Sequence, residues 1–286
     1  MAKQLYDYWF VQFDCPNKEG KPYKSSGGKM VWDDKLKREI PEGWEVSNLS
    51  DYLQVVTERL SASTVNESTK YAPIEVLPRK KMSFNECAPI ENAISGLCAF
   101  RHKNILLSNR RVYFHKVCIA AFDGITRDTV IVLKPNANDL LGYSYQLVND
   151  NVFIEYATRH SYGSEQPVLS WESAKMYKVL KPKSGLDVLY SKCANSIIDC
   201  VIENELEIAT LTMQRDNLLP LLMNGQVSVN YHLSVLEVAV NIGKFSYFIG
   251  LFLPSACRFE VDSPSLIFNG RGIRLPESQN IVHLTS

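Results

Sequence analysis

SGLDVLYSKCANSIIDCVIENELEIATLTMQRDNLLPLLMNGQVSV, residues 184–229, holds the pattern on which the fold turns. No Pro or Gly interrupts it between Leu186 and Leu219, and apolar residues recur three and four apart: Tyr190, Ala194, Ile197, Val201, Ile208, Leu211, Leu218 and Leu222. That spacing predicts a long helix. A second line, Ile198, Ile202, Leu206, Ala209 and Met213, runs beside the first, so the apolar face is wider than the seam of a two-stranded coiled coil. One partner helix would leave part of it uncovered. Asn204 falls on the heptad walk between Val201 and Ile208, a polar insertion of the type that sets register in a helix pair at a cost in stability. The periodicity by itself fits an amphipathic core helix equally well.

Around this stretch lies a chain of 286 residues, enough for one large domain or two ordinary ones with a real core. Its 31 Lys and Arg balance its 31 Asp and Glu, so only the placement of charge is informative. Residues 79–134 carry ten basic side chains against four acids, whereas residues 187–207 are acidic. Seven cysteines with no CxxC pair and no zinc-type spacing predict free thiols, all seven buried as small apolar residues, in a reducing compartment. The opening MAKQLYDYWF has no long apolar run and no small-residue cleavage site, which argues against a secretory signal. Residues 235–256 are mostly apolar, but Glu237, Asn241 and Lys244 interrupt them and a central charge is costly in lipid. A soluble cytoplasmic protein without a membrane span is expected.

Upstream of the long helix, residues 1–13 read as the last turns of a helix or an aromatic docking segment, and residues 14–30 as a Pro/Gly/Ser/Lys-rich loop. Arg38-Glu-Ile-Pro-Glu-Gly-Trp44 makes a turn that delivers Trp44, followed by a strand and a short helix near residues 49–56. Ile74-Glu-Val-Leu77 alternates like a short strand. Three apolar runs follow, at residues 105–107, 112–119 and 129–133, and Asp123-Gly124 between the last two predicts a hairpin joining them. Residues 140–158 return to helical spacing, as two helices broken at residues 149–151. A polar loop from His160 and a short strand near residues 176–180 lead to the junction at residues 182–185. Mixed elements without a βαβ rhythm favour an α+β globule.

Enzyme signatures are missing: there is no GxGxxG, GxxxxGK[ST], HExxH or GxSxG, and no Asp/Asn-Pro-Pro-aromatic segment of the kind amino-methyltransferases use. His102, His115, His160, His232 and His283 are scattered, without ligand or triad spacing. No catalysis, metal or cofactor is expected. The informative cluster is Ser108-Asn109-Arg110-Arg111-Val112-Tyr113-Phe114-His115-Lys116, which interleaves basic, aromatic and hydrogen-bonding side chains downstream of Arg79, Lys80 and Lys81 and upstream of Arg127. Arg, Lys, Ser and Asn hold phosphates, and Arg and Asn also read base edges, so the cluster suits double-stranded DNA. A solvated strand face with its arginines paired to acids fits the same residues. Within a strand, alternation would let one of Arg110 and Arg111 face the ligand. His160, Ser161, Tyr162 and Gly163 supply a second contact candidate, the glycine permitting close backbone approach.

Four segments carry a resemblance to a known family: Leu5-Tyr-Asp-Tyr-Trp-Phe-Val-Gln-Phe-Asp14, Gly20-Lys-Pro-Tyr-Lys-Ser-Ser-Gly-Gly28, Arg38-Glu-Ile-Pro-Glu-Gly-Trp44 and Leu218-Leu-Pro-Leu-Leu-Met-Asn-Gly225. In this order they resemble the DNA-specificity subunit of type I restriction-modification systems, over roughly residues 1–229. The resemblance implies an α+β fold in which one globular target-recognition domain is flanked by conserved helices, the C-terminal one long and coiled-coil-forming. Its divisions are residues 1–43, the end of a central conserved helix and a linker; 44–183, the target-recognition domain; 184–229, the distal conserved helix; and 230–286, a tail without a recognised counterpart.

The implied partners are double-stranded DNA, the methyltransferase subunits and, through them, the restriction subunit, with homodimerisation through the conserved helix as a further possibility. The family carries two recognition domains per subunit and this chain has room for one, so it resembles the downstream half, with Met1 standing inside the central helix. A half-subunit directing methyltransferase and endonuclease subunits to half of a bipartite site is the favoured expectation. A silent or degenerate cassette that only docks the methyltransferase is the alternative.

Overall fold

The computed structural model describes residues 1–17, 19–61 and 66–224. The chain divides into two compact units, Met1–Met223 and Asn224–Ser286. The apolar run at residues 235–256, the end of the segment at 225–229 and the expected tail lie outside the described residues. Among the described residues no helix is long and apolar enough to cross a membrane.

The first unit is mixed α and β. Helix α1 (Ala2–Tyr6) runs into a single wide turn at Asp7–Val11, in agreement with the expected helix end. A two-stranded ribbon follows, β1 (Met30–Asp33) with β2 (Arg38–Pro41), then β3 (Glu45–Asn48), β4 (Leu53–Val55), β5 (Arg59–Leu60) and β6 (Ser83–Phe84). The centre of the chain supplies β7 (Leu97–Phe100), β8 (Ile105–Ser108), β9 (Val117–Ala120), β10 (Gly124–Arg127) and β11 (Val130–Pro135). Helices α2 (Leu141–Asn149), α3 (Asn151–Arg159) and α4 (Trp171–Ala174), strand β12 (Lys178–Lys181) and helix α5 (Leu186–Met223) complete it. The break between α2 and α3 falls at Asp150, in extended conformation, as the sequence implies.

The main sheet has order β4-β11-β8-β9-β6, antiparallel except for the β6–β9 edge. Strands β8 and β9 are buried along their whole length, which explains their continuous rather than alternating apolar sequence. A second sheet, β10-β7-β5, and the pair β12-β3 stand apart from it.

The hairpin expected around Asp123-Gly124 does not form. Strand β8 lies between β9 and β11, and β10 leaves to pair with β7. Gly124 answers to close packing, because a Cβ there would meet the Lys70 carbonyl at 2.6 Å and the Phe100 ring at 2.8 Å. Residues 74–77 likewise form turns rather than a strand. The short helix expected near residues 49–56 is one 3-10 turn, Leu49–Asp51, and β4 takes the remainder.

Helix α5 spans 38 residues and passes through Pro220, whose missing N–H costs it a hydrogen bond three residues before the end. Its buried seam is Tyr190, Ser191, Ala194, Ile198 and Ile202. This merges the two expected lines: Ile197 and Val201 are half-buried, and beyond residue 202 Leu206, Ile208, Leu211, Met213, Leu218 and Leu222 are all exposed. Helix α2 packs so tightly on the seam that a Cβ on Gly142 would sit 2.5 Å from that of Ala194. The Tyr143 N–H donates to Ser191 Oγ (2.9 Å) and its hydroxyl to the Leu180 carbonyl (2.7 Å).

The N-terminal segment closes this corner, with Phe10 ringed by Tyr6, Trp9, Trp44, Tyr143 and Tyr190 at centroid distances of 4.9–6.2 Å. The Tyr190 hydroxyl donates to the Ala2 carbonyl at 2.9 Å. Burial pushes the hydroxyls of Tyr6 and Tyr143 well above their ordinary pKa, so they remain neutral. Cys15, Cys87, Cys98, Cys118, Cys193 and Cys200 are free thiols, but only Cys15 and Cys118 are buried as expected, Cys87 and Cys200 being exposed, and Cys257 lies outside the described residues.

Candidate nucleic-acid interface

Residues 109–116 connect β8 to β9 and are not a strand, which removes the alternation argument for Arg110 and Arg111. Two residues bend the connection: Arg111 (φ +48°) and His115 (φ +53°) adopt left-handed backbone on either side of a 3-10 turn at Val112–Phe114. Non-glycine residues rarely take that conformation, and the surroundings must hold it in place. Val112, 2 % exposed, plugs the turn into the core. The Ser108 hydroxyl donates to the Arg110 carbonyl at 2.7 Å.

Hydrogen bonds draw three further segments to this loop. The Asn109 N–H and side-chain amide donate to the carbonyls of Thr129 (3.1 Å) and Asp128 (2.7 Å), which places the β10–β11 turn beside it. The Lys80 N–H donates to the His115 carbonyl at 3.0 Å, and the Arg79 guanidinium stacks 3.9 Å from the Phe114 ring centroid. From the third side Leu169 N–H donates to Asn109 O (2.7 Å) and Arg111 N–H to Pro167 O (3.0 Å), while Val168 also pairs with Tyr162. Segments far apart in sequence are thereby assembled on one surface.

Solvent-facing on these segments are Arg79, Lys80, Lys81, Arg110, Arg111, Tyr113, Arg127, His160 and Tyr162, with Asn109 and Ser161 half-buried. Ser108, His115 and Lys116, expected among the DNA contacts, are turned inward. Ser108 is 1 % and His115 7 % exposed. The Nε2–H of His115 donates to the Asn149 carbonyl and side-chain oxygen at 3.1 and 3.0 Å; both are acceptors, so that nitrogen carries the hydrogen. Lys116 Nζ donates to the Ile74 carbonyl at 2.6 Å, and burial, followed by the neighbouring charge of Arg79, holds its pKa below the ordinary lysine range.

No carboxylate pairs with Arg110 or Arg111 among the described residues; the ion pairs nearby join Arg101 to Glu58 and Asp123, and Arg159 to Glu155. Arg110 instead donates to Gln166 Oε1 at 3.1 Å. Sequence reading missed Gln166, a neutral residue in a polar loop with no charge or aromatic pattern to mark it. His160 stacks on Tyr156 at 3.9 Å between centroids and, through Nδ1, contacts the Tyr156 carbonyl at 2.8 Å. Among the described residues no group of three or more His, Cys, Asp or Glu is placed to hold a metal.

The helix-pairing candidates separate along α5. Tyr190 is inside, Ile197 and Val201 are partly covered, and Asn204, Ile208, Leu211, Leu218 and Leu222 face solvent. A cleft of ≈ 630 Å³ runs between residues 76–86 and the outer helix, lined by Val76, Pro78, Lys81, Phe84, Ile208 and Met213 among others.

No protein-family model matches the chain. It is similar, at 24% identity over 242 residues, to the type I restriction enzyme MjaIX specificity subunit of Methanocaldococcus jannaschii, covering 80% of this chain and 52% of that protein. The resemblance drawn from the four sequence segments is matched by this relative. Among solved structures, the HsdS subunit from Thermoanaerobacter tengcongensis aligns at 16% identity and TM-score 0.44, covering 65% of this chain and 49% of that one. The S subunit of a type I restriction-modification system from M. genitalium aligns at 15% and 0.41, covering 62% and 45%. The chain spans about half the length of the relatives it matches.

Proposed function

We propose that the chain is a non-catalytic DNA-specificity subunit, or half of one, of a type I restriction-modification system. Residues 44–183 act as its target-recognition domain on half of a bipartite site, and α5 docks methyltransferase subunits and, through them, the restriction subunit. The observation that carries the reading is the assembly, in a chain similar to a specificity subunit, of Arg110 and Arg111, which have no carboxylate partner among the described residues, with the segments that bear Arg79, Lys80 and Arg127 and with exposed Tyr113 and Tyr162. Cations on the backbone supply affinity, and a guanidinium in the major groove supplies base choice. Ser108, His115 and Lys116 serve this surface by holding the loop rather than by touching DNA.

Gel-shift titrations of the chain with its methyltransferase subunits test the assignment. Arg111→Ala is expected to weaken retention of all duplexes and to lower the salt slope by about one, the signature of a lost phosphate contact. Arg110→Ala is expected to relax preference at one base position at a cost of about 1–3 kcal/mol. Unchanged affinity and preference in both variants would remove this loop from the DNA face.

A further inference from the structure

The loop at residues 162–168 is built as a brace for Arg110. Val168 is paired on both sides: with Tyr162 through two backbone hydrogen bonds of 2.8 and 3.0 Å, and with the Arg110 strip through the antiparallel bridge flanked by Leu169 N–H to Asn109 O and Arg111 N–H to Pro167 O. Gly163 (φ +100°) makes the return possible, and a Cβ there would lie 3.3 Å from the Gln166 carbonyl. The Arg110 carbonyl is held from its own side by Ser108 Oγ. The backbone of Arg110 is thus fixed from two directions, and the remaining freedom lies in its side chain.

Gln166, itself exposed, gives that side chain a partner. Its Oε1 accepts from Arg110 Nη1 at 3.1 Å, and since a guanidinium only donates, the oxygen and not the amide nitrogen must face it. The chemistry of the partner matters. A carboxylate would have neutralised the arginine, and one is available next door in exposed Glu165, yet the contact is made by a neutral amide that leaves the positive charge intact. One Nη1 hydrogen is used, and the other N–H groups remain for an outside ligand. An exposed arginine steered by a neutral acceptor, with its charge uncompensated, suits a rigid acceptor pair such as guanine O6 and N7.

We infer that Gln166 is a positioning residue that pre-sets the Arg110 guanidinium for reading one guanine in the major groove. The inference rests on the DNA-recognition reading above. Its test uses the full chain with its methyltransferase subunits, the duplex enriched from a random pool by the wild-type complex, and single-base variants of that duplex. Gln166→Ala is expected to lower affinity for the enriched duplex roughly ten-fold, with discrimination lost at the one position that Arg110→Ala also affects. Binding to an unrelated duplex and the salt slope should not change, since phosphate contacts are untouched. The double variant should bind no worse than Arg110→Ala alone, because the two side chains act as one unit.

A uniform loss on all duplexes would assign Gln166 a merely structural role and overturn the inference. So would an unchanged motif in Gln166→Ala while Arg110→Ala alters it. Failure of the wild type to enrich any motif would overturn the parent reading and this one together, so the two failures are distinguishable.

Discussion

Phe10→Ala is expected to lower the unfolding free energy by about 3–5 kcal/mol, the usual cost of emptying a buried aromatic position. Phe10 is 1 % exposed and touches rings contributed by four separate parts of the chain: the N-terminal segment, Trp44 before β3, Tyr143 on α2 and Tyr190 on α5. Alanine would leave a cavity walled by large, mutually packed rings that cannot collapse into it, so the cavity penalty adds to the lost transfer energy. The Tyr190-to-Ala2 hydrogen bond would lose its packing support as well. Denaturant unfolding of the full chain followed by near-ultraviolet circular dichroism, which reports this cluster, is the measurement. A loss below about 1 kcal/mol would contradict the view that residues 1–13 are an integral part of the compact unit Met1–Met223 rather than an appended end.

The second large effect is expected on the outer half of α5. The helix is about 57 Å long at 1.5 Å per residue, yet its buried residues end at Ile202. Lys103 and Asp199, 2.7 Å apart, tie the helix to the globule near the end of the buried seam. Beyond, leucines at 206, 211, 218, 219, 221 and 222 stand in water, and Leu211, Leu218 and Leu222 fall on one helical line of the kind that marks an association surface. Leu211→Glu combined with Leu218→Glu is expected to weaken assembly with methyltransferase subunits, or with a second copy of the chain, by about 4 kcal/mol or roughly a thousand-fold. That figure takes about 2 kcal/mol for each leucine removed from an apolar contact. The stability of the globule should change by less than about 0.5 kcal/mol, because both side chains are exposed. Light scattering and co-purification read the effect, and intact assembly in the double variant would show that this face is not the docking surface.

How far the sequence led differs by element. The long helix, the break at Asp150 and the helical N-terminus were legible because each rests on a local period or a local breaker. The buried seam of α5 was only half legible. Periodicity offered two lines, 190/194/197/201 and 198/202/206, and the face that is actually buried, 190/194/198/202, takes members from both. Sheet order was not legible, because Asp123-Gly124 carries the same letters as a hairpin turn while Gly124 serves close packing against Lys70 and Phe100. The basic stretch reads as a strand in the sequence, whereas the structure makes it a loop around a 3-10 turn. Nothing in the letters of Arg111 or His115 announces left-handed backbone, which here is imposed by the loop at 167–169, by Lys80 and by the anchoring of Val112. For the same reason His115 and Lys116 looked like ligand contacts: their hydrogen bonds to Asn149 and Ile74 are tertiary. Gln166 could not be found at all, since its role exists only through Arg110.

The most direct test of DNA specificity is selection from a randomised duplex pool by the full chain assembled with methyltransferase subunits. Enrichment of a short motif at physiological salt, lost at one position in Arg110→Ala, is the predicted result. Uniform retention that only falls steeply with salt would contradict it, because phosphate contacts alone are blind to sequence.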